Sequence, residues 1–357
     1  MSELEVPNDT TAFEVPAALG RDGKLTDECV RQTLELMNAS GLAILTGLLS
    51  NREADTGLEL IRQTIADPQR NRCAFASETD NRFLRRDFCS LPMTPPVTGF
   101  AATLCQRLEG VLSEYCGRQH PLLEITTLTS YLGSSHQYIH RDPSGVISLF
   151  AAVEDVSEEQ GGTVFIPGTH LDGRCDTELA ELFRTRSNWL ILRHNLAKLW
   201  GMRKGKDATL APGEFLDRVF SSKWDEHQPN LMRFVSGKNS QFSLRNLSPA
   251  ILWNLHAQRE ILDRRFQLVK TAPRKGTVIL YRSDLLHAGP DNRSADPRRL
   301  FSMSIAQDFV EPKLWQSGYS PHPTLTANPM SVGDLLDHPA PPARSEVPGR
   351  HARTLVG

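Results

Sequence analysis

The most informative absences in this 357-residue sequence concern long apolar runs and an excess of charge of either sign. No stretch approaches the roughly 20 consecutive apolar residues that a membrane-spanning helix needs. The 40 basic and 42 acidic side chains leave a formal net charge of −2, so the composition provides no general attraction to nucleic acid or to an anionic membrane. We therefore expect neither nucleic acid nor a membrane among its partners.

Targeting signals and paired cysteines are also lacking. The opening MSELEVPNDT is acidic and has no apolar segment of the secretory type, and the final TLVG is not a peroxisomal signal. The six cysteines are scattered without any Cys-x-x-Cys pair. In a chain of this length, such a pattern is typical of reduced, mostly buried thiols. We expect a cytoplasmic protein without disulfides or a zinc site.

The periodicity of the apolar residues predicts the fold class. Residues 25–118 are mainly helical and are expected to support the fold from outside. Residues 119–170 and 275–310 contain short β-branched segments separated by turns. This order favours a mainly β core, a jelly roll or barrel, with helices packed against it in one domain spanning residues 1–357.

Three further segments complete the predicted organisation. Residues 171–274 return to helical spacing and interrupt the β core, so we expect an insertion that serves as a lid or substrate wall, or instead as an oligomer contact. Residues 311–357 are proline-rich and are expected to form a surface tail. Residues 67–97 are polar and rich in arginine, and we interpret them as a loop whose arginines are exposed.

One tripeptide, His140-Arg141-Asp142, and one distant histidine, His287, indicate a candidate metal site. At the period of two that a strand imposes, the His140 and Asp142 side chains can point the same way. Two imidazoles and one carboxylate are the donors of the facial triad that binds non-haem Fe(II) and leaves open coordination positions. The tripeptide alone is a weak signal, because His-x-Asp is common and also occurs in the catalytic loops of protein kinases.

The second candidate site follows His287 in the sequence. A strand, TVILYRSDLL, leads to His287, a polar turn follows, and the next strand opens with Arg298 and Arg299. If His287 is a ligand, Arg298 lies one hairpin away, and its guanidinium can bind a carboxylate through two parallel hydrogen bonds. Arg299 is the alternative if the register differs by one residue.

Three motifs in this order resemble the phytanoyl-CoA dioxygenase-like family of Fe(II)/2-oxoglutarate oxygenases. They are Gln137-x-x-His140-Arg-Asp142, the stretch Gly161-Gly-Thr-Val-Phe-Ile-Pro-Gly-Thr-His170, and His287-x-Gly289-x-x-Asn292-x5-Arg298. The resemblance covers roughly residues 25–50, 120–170 and 275–310. It implies a double-stranded β-helix, which is a cupin-like jelly roll, with iron in its mouth.

The resemblance also implies cofactors and roles. The cofactors are Fe(II), 2-oxoglutarate as cosubstrate and O₂, with ascorbate in support. His140, Asp142 and His287 match the iron ligands. Arg298 matches the arginine that pairs with the distal carboxylate of 2-oxoglutarate, and the positions that often help to hold the same molecule are Gln137 and Thr163.

The reaction implied is hydroxylation, or another oxidation, of an unactivated C–H bond in a small organic metabolite, with release of succinate and CO₂. A biosynthetic role is expected, with an acyl-CoA or an amino-acid derivative as alternative substrates. Related halogenases have a small residue in place of the carboxylate ligand, so Asp142 favours hydroxylation or another oxidation over halogenation.

Three competing interpretations differ in what they require. A kinase would need an asparagine five residues after Asp142, where Ile147 stands, together with glycine-loop and D-F-G motifs that are missing. A cupin-type metalloenzyme would use the triad without 2-oxoglutarate, and Arg298 argues against it. A binding module that retains only the fold would not bind iron.

Overall fold

The computed structural model describes residues 9–73, 86–134, 136–203, 248–307 and 319–339. The first half of the chain forms β1 (Glu14–Pro16), α1 (Asp27–Ser40), β2 (Leu42–Thr46), α2 (Asn51–Ala66), β3 (Asn71–Arg72), β4 (Arg86–Ser90), α3 (Pro95–Arg107), α4 (Glu109–Tyr115) and β5 (Leu122–Ser130). The second half forms β6 (Val146–Ala152), β7 (Val164–Phe165), α5 (Thr177–Arg203), α6 (Pro249–Ala257), α7 (Arg259–Arg265), β8 (Val269–Lys270), β9 (Val278–Arg282), β10 (His287–Ala288), β11 (Arg298–Ala306), α8 (Pro323–Ala327) and α9 (Val332–Leu336).

Two β-sheets form the core. The large sheet has the strand order β1-β2-β9-β6-β11-β5-β4-β3, and the small sheet has the order β10-β7-β8. The β1–β2 pair is parallel, whereas the other strand pairs are antiparallel. A large and a small antiparallel sheet with helices outside confirm the predicted jelly-roll fold class. The large sheet also includes β1, which precedes residue 25, and β2 to β4, which lie within the segment expected to be mainly helical.

The alternation of side chains along the strands gives the large sheet two different faces. On the outer face, Leu149 and Met303 belong to the apolar cluster that includes buried residues of α1, α2, α3 and α4. On the inner face, Phe150 and Tyr281 pack together with ring centroids 5.1 Å apart. Tyr281 also contacts Phe165 of the small sheet at 5.2 Å. The space between the two sheets is therefore the interior of the jelly roll.

Local sequence signals fix the helices that support the outer face. The Thr26 side chain caps α1 by accepting from the Cys29 backbone N–H, and Gly41 ends the helix with a positive φ of 74°. Ser50 and Glu53 form a capping box at the start of α2. These caps place α1 and α2 directly before and after β2, at one side of the large sheet.

The interpretation of residues 67–97 as a loop is wrong at both ends. Strands β3 and β4 lie there, and α3 begins at Pro95. The apolar–polar alternation that identifies a strand is missing from β4, because Arg86, Asp87 and Ser90 are buried polar residues. Residues 74–85 lie outside the described part of the chain.

The insertion and the C-terminal segment are described only in part. The insertion contributes α5, α6 and α7, while residues 204–247 lie outside the described ranges. After residue 318, the chain packs Leu325, Val332 and Leu335 into the same cluster that holds α3, so this segment is part of the folded structure before residue 340. None of the described helices is long and apolar enough to cross a membrane.

Candidate metal and cosubstrate site

The structure brings together the three residues that the sequence nominates as metal ligands. His140 and His287 form an isolated β-bridge, with reciprocal backbone hydrogen bonds of 3.0 Å. The Asp142 carboxylate lies 3.9 Å from His140 Nε2 and 3.5 Å from His287 Nε2. One ligand atom from each residue falls within 4.8 Å of the others. The strand pairing therefore holds residues that are distant in sequence at one point in the mouth of the jelly roll.

Backbone carbonyls orient both imidazoles. His140 Nδ1 lies 2.8 Å from the Tyr138 carbonyl oxygen, and His287 Nδ1 lies 2.8 Å from that of Leu285. A carbonyl oxygen can only accept, so each Nδ1 carries the ring proton and each Nε2 keeps its lone pair. Two lone pairs and a carboxylate then face one another. This arrangement suits a bound cation and is unfavourable without one.

The surroundings also favour the ligand forms of two triad members, His140 and Asp142. Burial lowers the pKa of His140, and the neighbouring His287 lowers it further, so this imidazole is held neutral. Burial raises the pKa of Asp142, but the two imidazoles outweigh burial and the net shift is downward. Burial lowers the pKa of His287, but the Asp142 carboxylate outweighs burial and raises it. A neutral imidazole and an ionised carboxylate are the forms that bind a metal.

The first helix of the insertion supports the segment that carries His140. Asn188 of α5 is buried, its side-chain oxygen accepts from the Ile139 N–H at 2.7 Å, and its amide nitrogen donates to the Ile139 carbonyl at 3.1 Å. Phe183 and Ile191 of the same helix belong to the apolar cluster that contains Ile139. Helix α5 therefore fixes the backbone immediately before His140.

Arg298 lies at the start of β11 and is completely buried. Its Nη1 donates to the carbonyl oxygens of Gly161 and Gly162, and its Nη2 donates to Ser130 Oγ at 3.0 Å. Within the described residues, its Nε has no hydrogen-bond partner. Arg299 points to the other face of the strand and pairs with Glu154 at 3.1 Å. The register thus favours Arg298 over Arg299 as the group that faces the interior.

A second arginine, which the sequence interpretation treated as exposed, lies beside Arg298. Arg86 of β4 is also completely buried, and its Nε donates to the same Ser130 Oγ at 3.1 Å. Burial and then the charge of Arg86 lower the pKa of Arg298 to about 9. Two buried guanidinium groups that share one hydroxyl form a strongly cationic end of the interior.

Gln137 lies close to this cationic end, and Thr163 lies beside the small sheet. The Gln137 side-chain oxygen accepts from the Gly289 N–H at 2.8 Å. A Cβ added at Gly289 would lie 2.5 Å from that oxygen and 3.4 Å from Arg298 Nη2. Glycine at this position therefore allows the Gln137 and Arg298 side chains to lie close to the backbone. Thr163 is buried directly before β7, which pairs with β10 and thus with His287.

Other motif residues have structural roles. Asn292 shapes the turn after β10 by donating to the carbonyls of Ser130 and Asp296 and accepting from the Ser294 N–H. His170 is buried against Gly41, since a Cβ added there would lie 2.9 Å from His170 Nδ1. His170 is not one of the three residues grouped around a metal position.

Glu124 of β5 is a buried carboxyl that accepts a hydrogen bond from the Ser320 N–H at 2.7 Å. Burial raises its pKa to about 7, and the charge of Asp142 contributes to the rise. A raised pKa in the folded state means that stability is lost as pH rises from about 4.5 to about 7, because the unfolded chain ionises first.

Glu124→Gln removes this loss and keeps an acceptor oxygen for Ser320. Between about pH 4.5 and pH 8, we expect the unfolding free energy of the variant to increase relative to the wild type by about 3 kcal/mol. Urea denaturation of both proteins at the two pH values measures this difference. A stability difference that does not change with pH would show that the carboxyl is not held in its protonated form.

The described residues fit both an iron ion and 2-oxoglutarate. The donor set around the triad is the set that Fe(II) binds in non-haem enzymes, with two imidazole lone pairs and one carboxylate. The buried Arg298 retains an Nε–H without a partner among the described residues, which suits a carboxylate at the cationic end. Both fits depend on residues from strands that are distant in sequence.

Comparison with known proteins gives one decisive match and several weak ones. The chain has no significant sequence match among curated proteins. Solved structures with a similar chain path include the epimerase SnoN from nogalamycin biosynthesis, with 13% identity, a TM-score of 0.45, and coverage of 79% of this chain and 84% of SnoN. HygX from Streptomyces hygroscopicus, solved with nickel and 2-oxoglutarate, has 16% identity and a TM-score of 0.43. The match covers 81% of this chain and 90% of HygX. Likenesses this weak carry no inference about the substrate of this chain.

The decisive match is to a family profile. The profile of the phytanoyl-CoA dioxygenase (PhyH) family matches residues 41–300, which include the triad, Arg298 and most of both sheets. This range covers well over half of the chain and confirms the resemblance inferred from the three motifs. The chain belongs to the phytanoyl-CoA dioxygenase (PhyH) family and is thus an enzyme of the Fe(II)- and 2-oxoglutarate-dependent oxygenase superfamily.

Proposed function

We propose that this chain is a 2-oxoglutarate-dependent dioxygenase that hydroxylates an unactivated C–H bond of a small organic metabolite in a biosynthetic pathway. His140, Asp142 and His287 would hold Fe(II), and Arg298 would hold the distal carboxylate of 2-oxoglutarate. The observation that carries this proposal is the convergence of two Nε2 lone pairs and a carboxylate within 4.8 Å. When bound, iron and 2-oxoglutarate supply the oxidising chemistry by activating O₂ with release of succinate and CO₂.

The chain's own contribution is to position and enclose the reactants. The carbonyls of Tyr138 and Leu285 hold the imidazoles in the tautomer that presents Nε2. The cationic end, Arg86 with Arg298, provides the charge that attracts a carboxylate into the interior. The insertion, through α5, would form one wall of the site and help to exclude water from it. No protein nucleophile or general base is required.

The direct test is a substrate screen with Fe(II), ascorbate and 2-oxoglutarate, scored by succinate release and product mass. The proposal predicts substrate-dependent succinate release and a product that gains one oxygen atom. A product of unchanged elemental composition, or one that has lost two hydrogens, would replace hydroxylation by isomerisation or desaturation. Failure to consume 2-oxoglutarate with any substrate, in protein that is loaded with iron, would contradict the dioxygenase assignment.

Arg86→Met tests whether the second arginine assists the first. The variant keeps most of the buried side-chain volume but removes one positive charge, so we expect 2-oxoglutarate to bind about 10-fold more weakly, equivalent to roughly 1.4 kcal/mol. Calorimetric titration of 2-oxoglutarate into the metal-loaded protein measures the change. Arg70→Met is the matched control, because Arg70 pairs with Asp87 at 3.3 Å rather than with Ser130. Equal affinities in wild type and Arg86→Met would confine the role to Arg298.

A further inference from the structure

A row of four polar residues crosses the inner face of the large sheet at the end opposite the two arginines. Tyr281 pairs with Ser148, Ser148 with Ser304, and Ser304 with Glu124 in the register of the adjacent strands β9, β6, β11 and β5. All four residues are buried. We call them the polar row. Buried positions are most often apolar, and a buried polar group costs free energy unless it is paired, so four adjacent polar residues require an explanation.

The side chains of the polar row point into the interior. Their sequence neighbours Leu149, Met303 and Ile125 belong to the outer cluster against the helices, so the row itself faces the small sheet. Ser148 Oγ and Ser304 Oγ lie 3.2 Å apart, which confirms that they share this face. The next row along the strands adds further hydroxyls, from Thr126 and Ser302, which are also paired in register.

The polar row begins beside the metal site. The Tyr281 ring lies 5.2 Å from the His287 ring, measured between centroids. Glu124 lies at the other end of the row, and the charge of Asp142 adds to the effect of burial in raising its pKa. On β5, Glu124 and Ser130 are separated by six residues, or about 20 Å at the rise of a strand. The triad therefore lies between a cationic end and an acidic end of one interior.

Two buried polar groups at the acidic end can still bind a ligand: a hydroxyl without a partner and a carboxyl without an ion pair among the described residues. Thr126 Oγ1 is buried and has no hydrogen-bond partner among the residues that the structure describes. Glu124 is buried, and no lysine, arginine or histidine of the described ranges forms an ion pair with it. A buried carboxyl of this kind is stabilised by a cation or by strong donors. Just as the buried arginines suit a carboxylate, the buried Glu124 carboxyl suits a positively charged group.

We propose that the polar row is the substrate-recognition surface, and that it selects a hydroxylated small molecule carrying a basic amine, with the amine on Glu124 and the hydroxyl groups on Thr126, Ser148 and Ser304. This inference rests on the proposed function, since it places the substrate opposite 2-oxoglutarate across the metal. It narrows the substrate class from any small metabolite to amine-bearing polyols. Acyl-CoA thioesters and other anionic substrates are disfavoured by a carboxyl at this position.

The test uses the holoenzyme with Fe(II) and 2-oxoglutarate under anaerobic conditions, so that binding is measured without turnover. The probes are a set of cyclic polyols in which every scaffold is present as the primary amine, the alcohol and the carboxylic acid, for example glucosamine, glucose and glucuronic acid. Saturation-transfer NMR at about pH 8 reports binding. We expect the amine forms to bind at least about 10-fold more tightly than the alcohol forms, and the acid forms to bind weakest.

Single substitutions test whether the polar row causes the preference for amine forms. Glu124→Gln should weaken the amine forms by about 10-fold or more and leave the alcohol forms within about 2-fold. Thr126→Val, which keeps the shape of the side chain, should weaken both forms by several-fold. Glu154→Gln is the matched control, because Glu154 pairs with Arg299 on the outer face and should change neither. If Glu124→Gln does not fold, Glu124→Asp serves, with an expected loss confined to the amine forms.

The inference is overturned if amine and alcohol forms bind equally, if the acid forms bind best, if no amine form binds, or if Glu124→Gln binds the amines as the wild type does. The affinity for 2-oxoglutarate, measured in the same preparations, separates this outcome from failure of the proposed function. Retained 2-oxoglutarate binding with no amine preference removes only the substrate assignment. Loss of 2-oxoglutarate binding in the wild type removes both.

Discussion

Arg298→Ala is expected to raise the dissociation constant of 2-oxoglutarate by about 100-fold, which corresponds to the roughly 2–3 kcal/mol of a charge-assisted hydrogen-bond pair. The guanidinium is buried, and its Nε has no partner among the described residues, so a carboxylate at this position meets a donor that costs little further desolvation. Calorimetric titration of 2-oxoglutarate into the metal-loaded protein measures the effect. The metal affinity should change far less, because Arg298 is not one of the three grouped residues.

Two further variants separate binding from folding. Arg298 also donates to the carbonyls of Gly161 and Gly162, so the alanine variant loses structural contacts as well. Arg298→Lys keeps the charge without the two-pronged geometry and should give an intermediate affinity. Arg299→Ala is the control, since Arg299 pairs with Glu154 outside the interior. If Arg299→Ala bound 2-oxoglutarate much more weakly and Arg298→Lys bound it normally, Arg299 rather than Arg298 would hold the distal carboxylate.

His140→Ala and His287→Ala should each lose Fe(II) and reduce turnover to the background rate. Each substitution removes one of the three protein ligands. The two remaining ligands bind Fe(II) too weakly to retain it. Metal content after anaerobic reconstitution and desalting measures the first effect, and succinate release measures the second. Asp142→Ala should behave in the same way and should also remove the charge that both imidazoles face.

The control for these variants is His256→Ala, because His256 lies on the exposed side of α6. It should retain one Fe(II) per chain and full activity. Circular dichroism of the triad variants should match the wild type, since the β-bridge between residues 140 and 287 is formed by backbone atoms. Turnover that persists in His140→Ala would mean that the metal is held elsewhere.

Sequence reasoning found the parts of the site that chemistry restricts most. His140, Asp142 and His287 are identifiable because few residue types bind iron, and because the His287 strand leads into the turn and arginine that follow. The fold class was predictable from the change from helical to strand periodicity at about residue 119. The resemblance to the family added what spacing alone did not provide, namely the expectation that Gln137 and Thr163 help to hold 2-oxoglutarate.

The residues that were missed depend on contacts between distant strands. Arg86 lies in a stretch with several arginines, and nothing in the sequence distinguishes it from the exposed ones; only its pairing opposite Ser130 places it beside Arg298. Asn188 acts through the backbone of Ile139, so its role depends on how α5 packs. Glu124 did carry a signal, because a carboxyl within the strand LLEITTLTS is unusual, and that signal was not used.

The most direct test of the account is an anaerobic titration of Fe(II) and then 2-oxoglutarate into the wild-type protein, followed by the visible charge-transfer absorption of iron-bound 2-oxoglutarate. We expect one Fe(II) and one 2-oxoglutarate per chain, with no absorption in His287→Ala and, in Arg298→Lys, a titration that needs higher 2-oxoglutarate concentrations. An absorption that develops normally in His287→Ala, or a wild-type protein that binds Fe(II) but never develops it, would contradict the account.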